Sequence, residues 1–174
     1  MVRNCCTALA TPNSEEQNLM TRLRIGDVVE VPVSRGLAYV HYVSRHPEFG
    51  ALLRVYGTIY PRRPSAPQLA TLTQAEPQFV TFFPLQAAVK QGIVSVAGSC
   101  EPSSEASRFP LFRDGVLNPA TGQVDVWWLW DGEKEWRVGS LTEEQRSLPM
   151  REVINDTLLI ERIECGWRNS DARG

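Results

Sequence analysis

Apolar positions in this chain recur mainly every second residue, the spacing of strands with one side chain up and the next down. Residues 25–33 (IGDVVEVPV) alternate in this way, with Val29, Val31 and Val33 against Val28 and Glu30. After Ser34-Arg35-Gly36, residues 37–45 (LAYVHYVSR) set Leu37, Tyr39, His41 and Val43 on one face and Ala38, Val40 and Tyr42 on the other. A loop at 46–50 leads to a third run, 51–60, in which Gly57 marks a bulge or a close backbone approach. Three strands in succession predict a meander, the start of a curled antiparallel sheet or a small barrel. Shorter strands are expected at 79–83 and 93–97, with a brief extended piece at 109–112.

Helical spacing is confined to short pieces. Residues 14–23 offer Leu19, Met20 and Leu23 behind an Asn13 or Ser14 cap. Pro84 opens a helix with Leu85, Ala88 and Val89 on one stripe and Gly92 at its end. Ser140-x-x-Glu143 fits a capping box for a helix over 141–147. From Asp156 the chain reads as a last helix to about Cys165, with Leu159, Ile160, Ile163 and Trp167 as its stripe; a strand over 157–163 is the alternative. Residues 61–77 hold four prolines and read as an irregular connector whose only cations are Arg62 and Arg63. The organisation that follows is a strand-rich α+β single domain over 14–168. A disordered segment, 1–13, precedes it and a flexible tail, 169–174, follows.

The densest stretch is 124–139, VDVWWLWDGEKEWRVG, which carries four of the five tryptophans. Asp131-Gly132 between two aromatic and β-branched runs predicts a hairpin. Val124, Val126, Trp128 and Trp130 share one face; Asp125, Trp127 and Leu129 share the other. A two-residue loop sets Trp127 opposite Trp136, and a four-residue loop sets it opposite Val138. Either way Trp136 and Val138 join the Trp127 face, while Glu135 and Arg137 join the Trp128 and Trp130 face. A strand apolar on both faces is expected to be covered on both. The alternative is that Trp128 or Trp130, flanked by Glu133, Glu135 and Arg137, anchors a partner, because Trp and Arg are enriched at interface hot spots.

Composition narrows the class. The 174 residues are 43% hydrophobic and 22% charged, ordinary for a globular protein of one domain. No apolar run approaches the ~20 residues of a membrane span, and the N-terminus has no secretory pattern, so a cytoplasmic protein is expected. Cys5, Cys6, Cys100 and Cys165 fit no zinc spacing and are expected as free thiols. Residues 1–90 carry nine Lys/Arg and six Asp/Glu, and residues 91–174 carry nine and fourteen. That divides a net charge of −2 into +3 and −5. The chain lacks the strongly basic face of a nucleic-acid binder, and the acidic half suits a basic protein.

No catalytic set emerges. His41 lies in a strand and His46 precedes Pro47 in an exposed loop, so neither sits beside a nucleophile and an orienting acid. Paired carboxylates such as Glu143-Glu144 and Glu133/Glu135 read as solvated positions. Neither a phosphate-binding loop nor a dinucleotide fingerprint occurs. No cofactor or metal is expected, and the chain reads as a non-enzymatic binding protein.

Three stretches, IGDVVEVPVSRGLAYV (25–40), FFPLQAAVKQGIVSVAG (82–98) and WWLWDGEKEWRVGSL (127–141), with NDTLLIERIECGW (155–167) after them, resemble the bacterial polymorphic-toxin immunity protein family twenty-six. The likeness spans roughly 22–168. It implies a strand-rich α+β domain that opens with Gly-Asp and binds and neutralises a cognate protein toxin encoded beside it, with no catalytic residues. Gly26-Asp27-Val28-Val29 is also similar to the first strand of small SH3-like barrels, including toxin-type ribonucleases, which leaves a nucleic-acid module or a general interaction domain as alternatives. The residues expected to meet a partner are Trp128, Trp130, Glu133, Glu135 and Arg137 on the hairpin, with Arg62 and Arg63 on the Pro-rich connector. A monomer is the expected state.

Overall fold

The computed structural model describes residues 22–172. The expected segment 1–13, most of the helix over 14–23, and Cys5 and Cys6 lie outside the described residues. Five strands, β1 (Asp27–Val33), β2 (Gly36–His46), β3 (Gly50–Tyr60), β4 (Phe79–Phe83) and β5 (Ser95–Ser99), form one antiparallel sheet in the order β4-β3-β2-β1-β5. Three more, β6 (Phe112–Leu117), β7 (Val124–Trp130) and β8 (Glu135–Gly139), form a second in the order β6-β7-β8. The helices are α1 (Ala66–Thr73), α2 (Leu85–Lys90), α3 (Glu143–Arg146) and α4 (Asp156–Glu164). The class is α+β, and the sheets stay open: the curled sheet forms and the barrel does not.

The first sheet is apolar on both faces because both are covered. On one, Val29, Val31, Val40, Leu53 and Val55 meet Leu85 and Ala88 of α2 and Leu159 and Ile163 of α4. The other face is divided. Val28, Tyr39 and Tyr56 lie under Leu69 and Leu72 of α1. Val43, Leu52 and Phe82 lie against Phe112 and Trp130 of the second sheet. At about 25 cal/mol per Å² of apolar surface removed from water, this two-sided burial is the main stabilising term of the domain.

Several local expectations are corrected. The 61–77 connector is not irregular throughout, since it contains α1. Its prolines fall where a helix tolerates them: Pro61 and Pro64 precede it, Pro67 sits in its first turn and Pro77 follows it. Ser65 and Gln68 close a capping box, and Leu69 and Leu72 supply the buried stripe. The last helix forms rather than the alternative strand. Its cap is Asn155, whose Oδ1 accepts from the Leu158 amide at 2.8 Å, so Asp156 falls in the first turn instead. The capping box near 140 also moves by two residues. Leu141 is drawn into a buried cluster, so Thr142 and Gln145 cap α3 in place of Ser140 and Glu143. Residues 169–171, set aside as tail, form a 3-10 turn.

Between the two covered patches of the first sheet runs a polar seam. His41 is fully buried beside its cross-strand neighbour Arg54, and its Nε2–H donates to the Cys100 carbonyl at 2.8 Å. Burial pushes the imidazole below its ordinary value. The Cys100 bond opposes this, and Arg54 adds to it. The folded state therefore holds His41 neutral, and as pH falls the unfolded chain takes up the proton first. Stability from this residue is complete above about pH 6.5 and declines as pH drops below it. Chemical denaturation at stepped pH is expected to show that decline in the wild type and a flatter profile in His41→Gln. An identical slope in both would show that His41 does not carry it.

Candidate protein-docking site

The hairpin at the centre of the second sheet is built from its turn outward. Asp131 to Lys134 make a four-residue loop, and Oδ1 of Asp131 accepts from the amides of Glu133 (2.9 Å) and Lys134 (2.8 Å). Those two bonds hold the Asp131 carboxyl below the usual carboxylate range. Gly132 takes φ +103°, and a Cβ there would meet the Phe109 ring at 2.8 Å, so the position needs glycine twice over. Its carbonyl accepts from Nε2 of His46 at 3.2 Å, while Nδ1 of His46 accepts from the Glu48 amide. His46 is thus not the exposed loop residue expected. It is half-buried and ties the β2–β3 loop to the hairpin turn.

The register sets Trp130 opposite Glu135, Leu129 opposite Trp136 and Trp128 opposite Arg137. A shift then places Trp127 opposite Gly139 rather than Val138. On the Trp127 face, Leu129 and Trp127 are covered by Leu141, with Leu148 and Met150 beside them. Arg113 of β6 lies over the Trp127 ring, its Cζ 5.3 Å from the centroid. Among the described residues no acid pairs with this buried guanidinium. It donates instead to the carbonyls of Leu148 (3.1 Å), Asn169 (2.7 Å) and Ala172 (3.3 Å).

The opposite face is the one that opens. Trp130 is 5% exposed, with rings of Phe49, Phe82, Phe109, Phe112 and His46 at 4.9–6.2 Å. Trp130 is therefore not the partner-facing anchor that the shared face with Trp128 allowed. It points the same way but falls at the end of β7 that the first sheet covers. Two residues earlier, beyond that cover, Trp128 is 38% exposed. It borders an open cleft of about 400 Å³ whose walls are Val116, Val126, Asp114, Asp125, Glu135 and Arg151. Arg151 crosses this face. Its Nη1 donates to Glu135 Oε2 at 2.7 Å, its Nη2 to Asp114 Oδ2, and its Cζ lies 5.3 Å from the Trp130 centroid. Burial pulls this guanidinium down, but the two carboxylate bonds outweigh it and hold the group above its ordinary value.

The structure brings Trp128, Glu135 and Arg137 together on one face, with Glu133 exposed at the turn. It does not bring Arg62 and Arg63 to them. Arg63 makes a bidentate pair with Glu30 of β1 at 2.8 and 3.0 Å, and Glu30 also accepts from the Tyr39 hydroxyl. The Arg63 bonds in turn hold the Glu30 carboxyl below its ordinary value. Asp114, Asp125 and Arg151 were not legible as site residues. Their one trace is the polar placing of Asp114 and Asp125 at strand positions otherwise rich in apolar residues. Among the described residues no group of three or more His, Cys, Asp or Glu is placed to hold a metal ion, and no helix is long and apolar enough to cross a membrane. Compared with protein-family models, curated proteins and solved structures, the chain matches none of them.

Trp130→Ala is expected to cost about 3–5 kcal/mol by emptying a packed aromatic site, and at about 2–4 °C per kcal/mol the melting temperature falls visibly. Trp128→Ala should cost less than half as much. Thermal unfolding of the two variants side by side would contradict this placement if Trp128→Ala proved the more damaging.

Proposed function

We propose that this chain is a non-catalytic binding protein that neutralises a cognate bacterial toxin by covering part of its surface, and that the Trp128 face of the second sheet makes the contact. The observation that carries the proposal is the distribution of exposed apolar side chains. Among the described residues, four of the six large ones lie on the small three-stranded sheet: Val116 and Trp128 on the face with the cleft, and Leu117 and Trp136 on the face that carries Trp127. Exposed apolar groups gathered on one element and rimmed by charge mark an interaction surface more often than chance scatter does. The face is also held in place before any partner arrives. The Asp131 turn, the His46 bond and the Trp130 cluster fix the strand that carries Trp128, so little backbone freedom remains to be lost on docking.

The non-catalytic part of the proposal is supported by what the two histidines already do. Nε2 of His41 is bonded to Cys100, and both ring nitrogens of His46 are engaged. Neither lines the cleft beside Trp128. A nucleic-acid partner draws no support from that cleft, where three carboxylates stand against one guanidinium and repel phosphate. The resemblance in the sequence supplies the class of partner, a protein toxin encoded next to this chain.

Co-expression with neighbouring toxin genes, read as growth protection, tests the proposal, and a pull-down with the purified toxin reads binding directly. Protection is expected from the wild type. Trp128→Ala and Arg137→Glu are each expected to weaken capture by about tenfold or more, with the melting temperature held within a few degrees. Undiminished capture by the variant carrying both changes would remove this face from the interface.

A further inference from the structure

The cleft beside Trp128 has a chemistry that selects what enters it. Its wall is an exposed indole, its lining carries Asp114, Asp125 and Glu135, and the only cation among the lining residues is Arg151. Three carboxylates against one guanidinium leave the cleft negative. Arg137, across from Trp128 on β8, is a positive charge at the rim and is not part of the lining. The neighbouring position on the same face shows what this arrangement holds. There Arg151 lies over the Trp130 ring, its two terminal nitrogens on Glu135 and Asp114. Further along, the Trp128 ring and Asp125, three residues before it on β7 and brought to the same cleft past the β6–β7 register shift, offer the same two elements, an indole and a carboxylate, with the space beside them open. Asp125 is exposed and meets only Asn118 Nδ2, at 2.8 Å, among the described residues.

We propose that this cleft receives a single arginine side chain of the protein partner, stacked on the Trp128 indole and paired with Asp125, on the pattern that Arg151 sets over Trp130. A guanidinium suits it better than an ammonium. It is flat enough to stack, presents a two-pronged donor edge to a carboxylate, and is weakly hydrated. The depth beside Val116 and Val126 accommodates the apolar stem of the side chain. This rests on the docking reading above and gives it a specific content: the partner offers a basic residue at the centre of its contact with this face.

The test uses the full chain and a probe that needs no toxin. N-acetyl-arginine amide is titrated in, and the indole N–H resonances of the tryptophans are followed by NMR, with N-acetyl-lysine amide and N-acetyl-glutamate amide in parallel. The Trp128 resonance is expected to move saturably with the arginine compound, less with lysine and not with glutamate, while those of Trp127 and Trp130 stay in place. Asp125→Asn keeps the side-chain shape and is expected to weaken the arginine response by about threefold or more, with added salt acting in the same direction. A still Trp128 resonance, an equal response to glutamate, or an unchanged affinity in Asp125→Asn overturns the proposal. Growth protection and toxin capture are read separately, so a toxin that binds while arginine does not would overturn the cation pocket alone. Loss of capture with the arginine response intact would strike the docking reading instead.

Discussion

The arrangement of this molecule depends on one aromatic contact, Trp130 held among Phe82, Phe112, Phe109, Phe49 and His46. Phe82 and Phe49 come from the first sheet and its loop, Phe112 and Trp130 from the second, and Phe109 from the segment that joins them. Aromatic pairs at these separations contribute about 0.5–1.5 kcal/mol each beyond the area they bury. Several such pairs converge on one ring, so the angle between the sheets is set where Trp130 sits. That placement decides what the rest of β7 does. Trp130 ends beneath the cover of the first sheet, and Trp128, with the same orientation, ends past it. A buried and a half-exposed tryptophan two residues apart are consequences of a single packing contact.

The two guanidinium groups astride the second sheet divide the work differently. Arg113 is buried, has no acid partner among the described residues, and is held by three backbone carbonyls. Two of them come from the 169–172 turn, which explains why that part of the C-terminal segment is ordered against the domain. A buried cation satisfied only by carbonyls is costly to lose or to mispair, so this side behaves as a structural clamp. Arg151 lies on the outer side, partly in water, between two carboxylates that are themselves partly exposed. Pairs of that kind contribute little to stability, about 1 kcal/mol or less. Their significance lies in orientation, because Arg151 leaves Asp114 and Glu135 spoken for and Asp125 available.

Alternation along the chain made the strands legible. The faces read for β2, with Tyr39, His41 and Val43 opposed to Ala38, Val40 and Tyr42, are the faces the sheet uses. The hairpin was legible too, except at its start, where the register shift between Gly115 and Leu117 puts Val124 in the Trp127 cluster and Asp125 on the Trp128 cleft, each the reverse of strict alternation. Coverage was not. Period-two spacing says that Trp128 and Trp130 point the same way, and it is silent on where another sheet begins and ends. Helix α1 escaped for a different reason. Counting prolines in 61–77 obscured their positions, and at the first turn of a helix a proline is favourable. The cleft was hidden because Asp114 and Arg151 lie 37 residues apart and meet only through tertiary pairing. His46 was misread because a histidine before proline looks like loop surface, whereas its ring completes an aromatic cluster assembled from distant segments.

A sheet can offer a partner its face or its edge, and here three of the four edge strands, β4, β6 and β8, are covered or blunted. The Arg113 amide of β6 donates to the Pro149 carbonyl, and the Arg113 carbonyl accepts from the Arg151 amide, so the 149–151 segment covers that edge where it passes. The edge of β4 is covered in the same manner, with Val153 bridged to Phe82 and the Ile154 amide on the Phe82 carbonyl. β8 has an uncovered side among the described residues, but it is five residues long and carries Glu135 and Arg137, and short, charged edge strands discourage strand addition. With those three edges closed or blunted, the proposed recognition draws on side chains of the open face, where Trp128, Val116 and charged groups line one cleft. Docking on that face, as proposed above, would be selected by shape and charge.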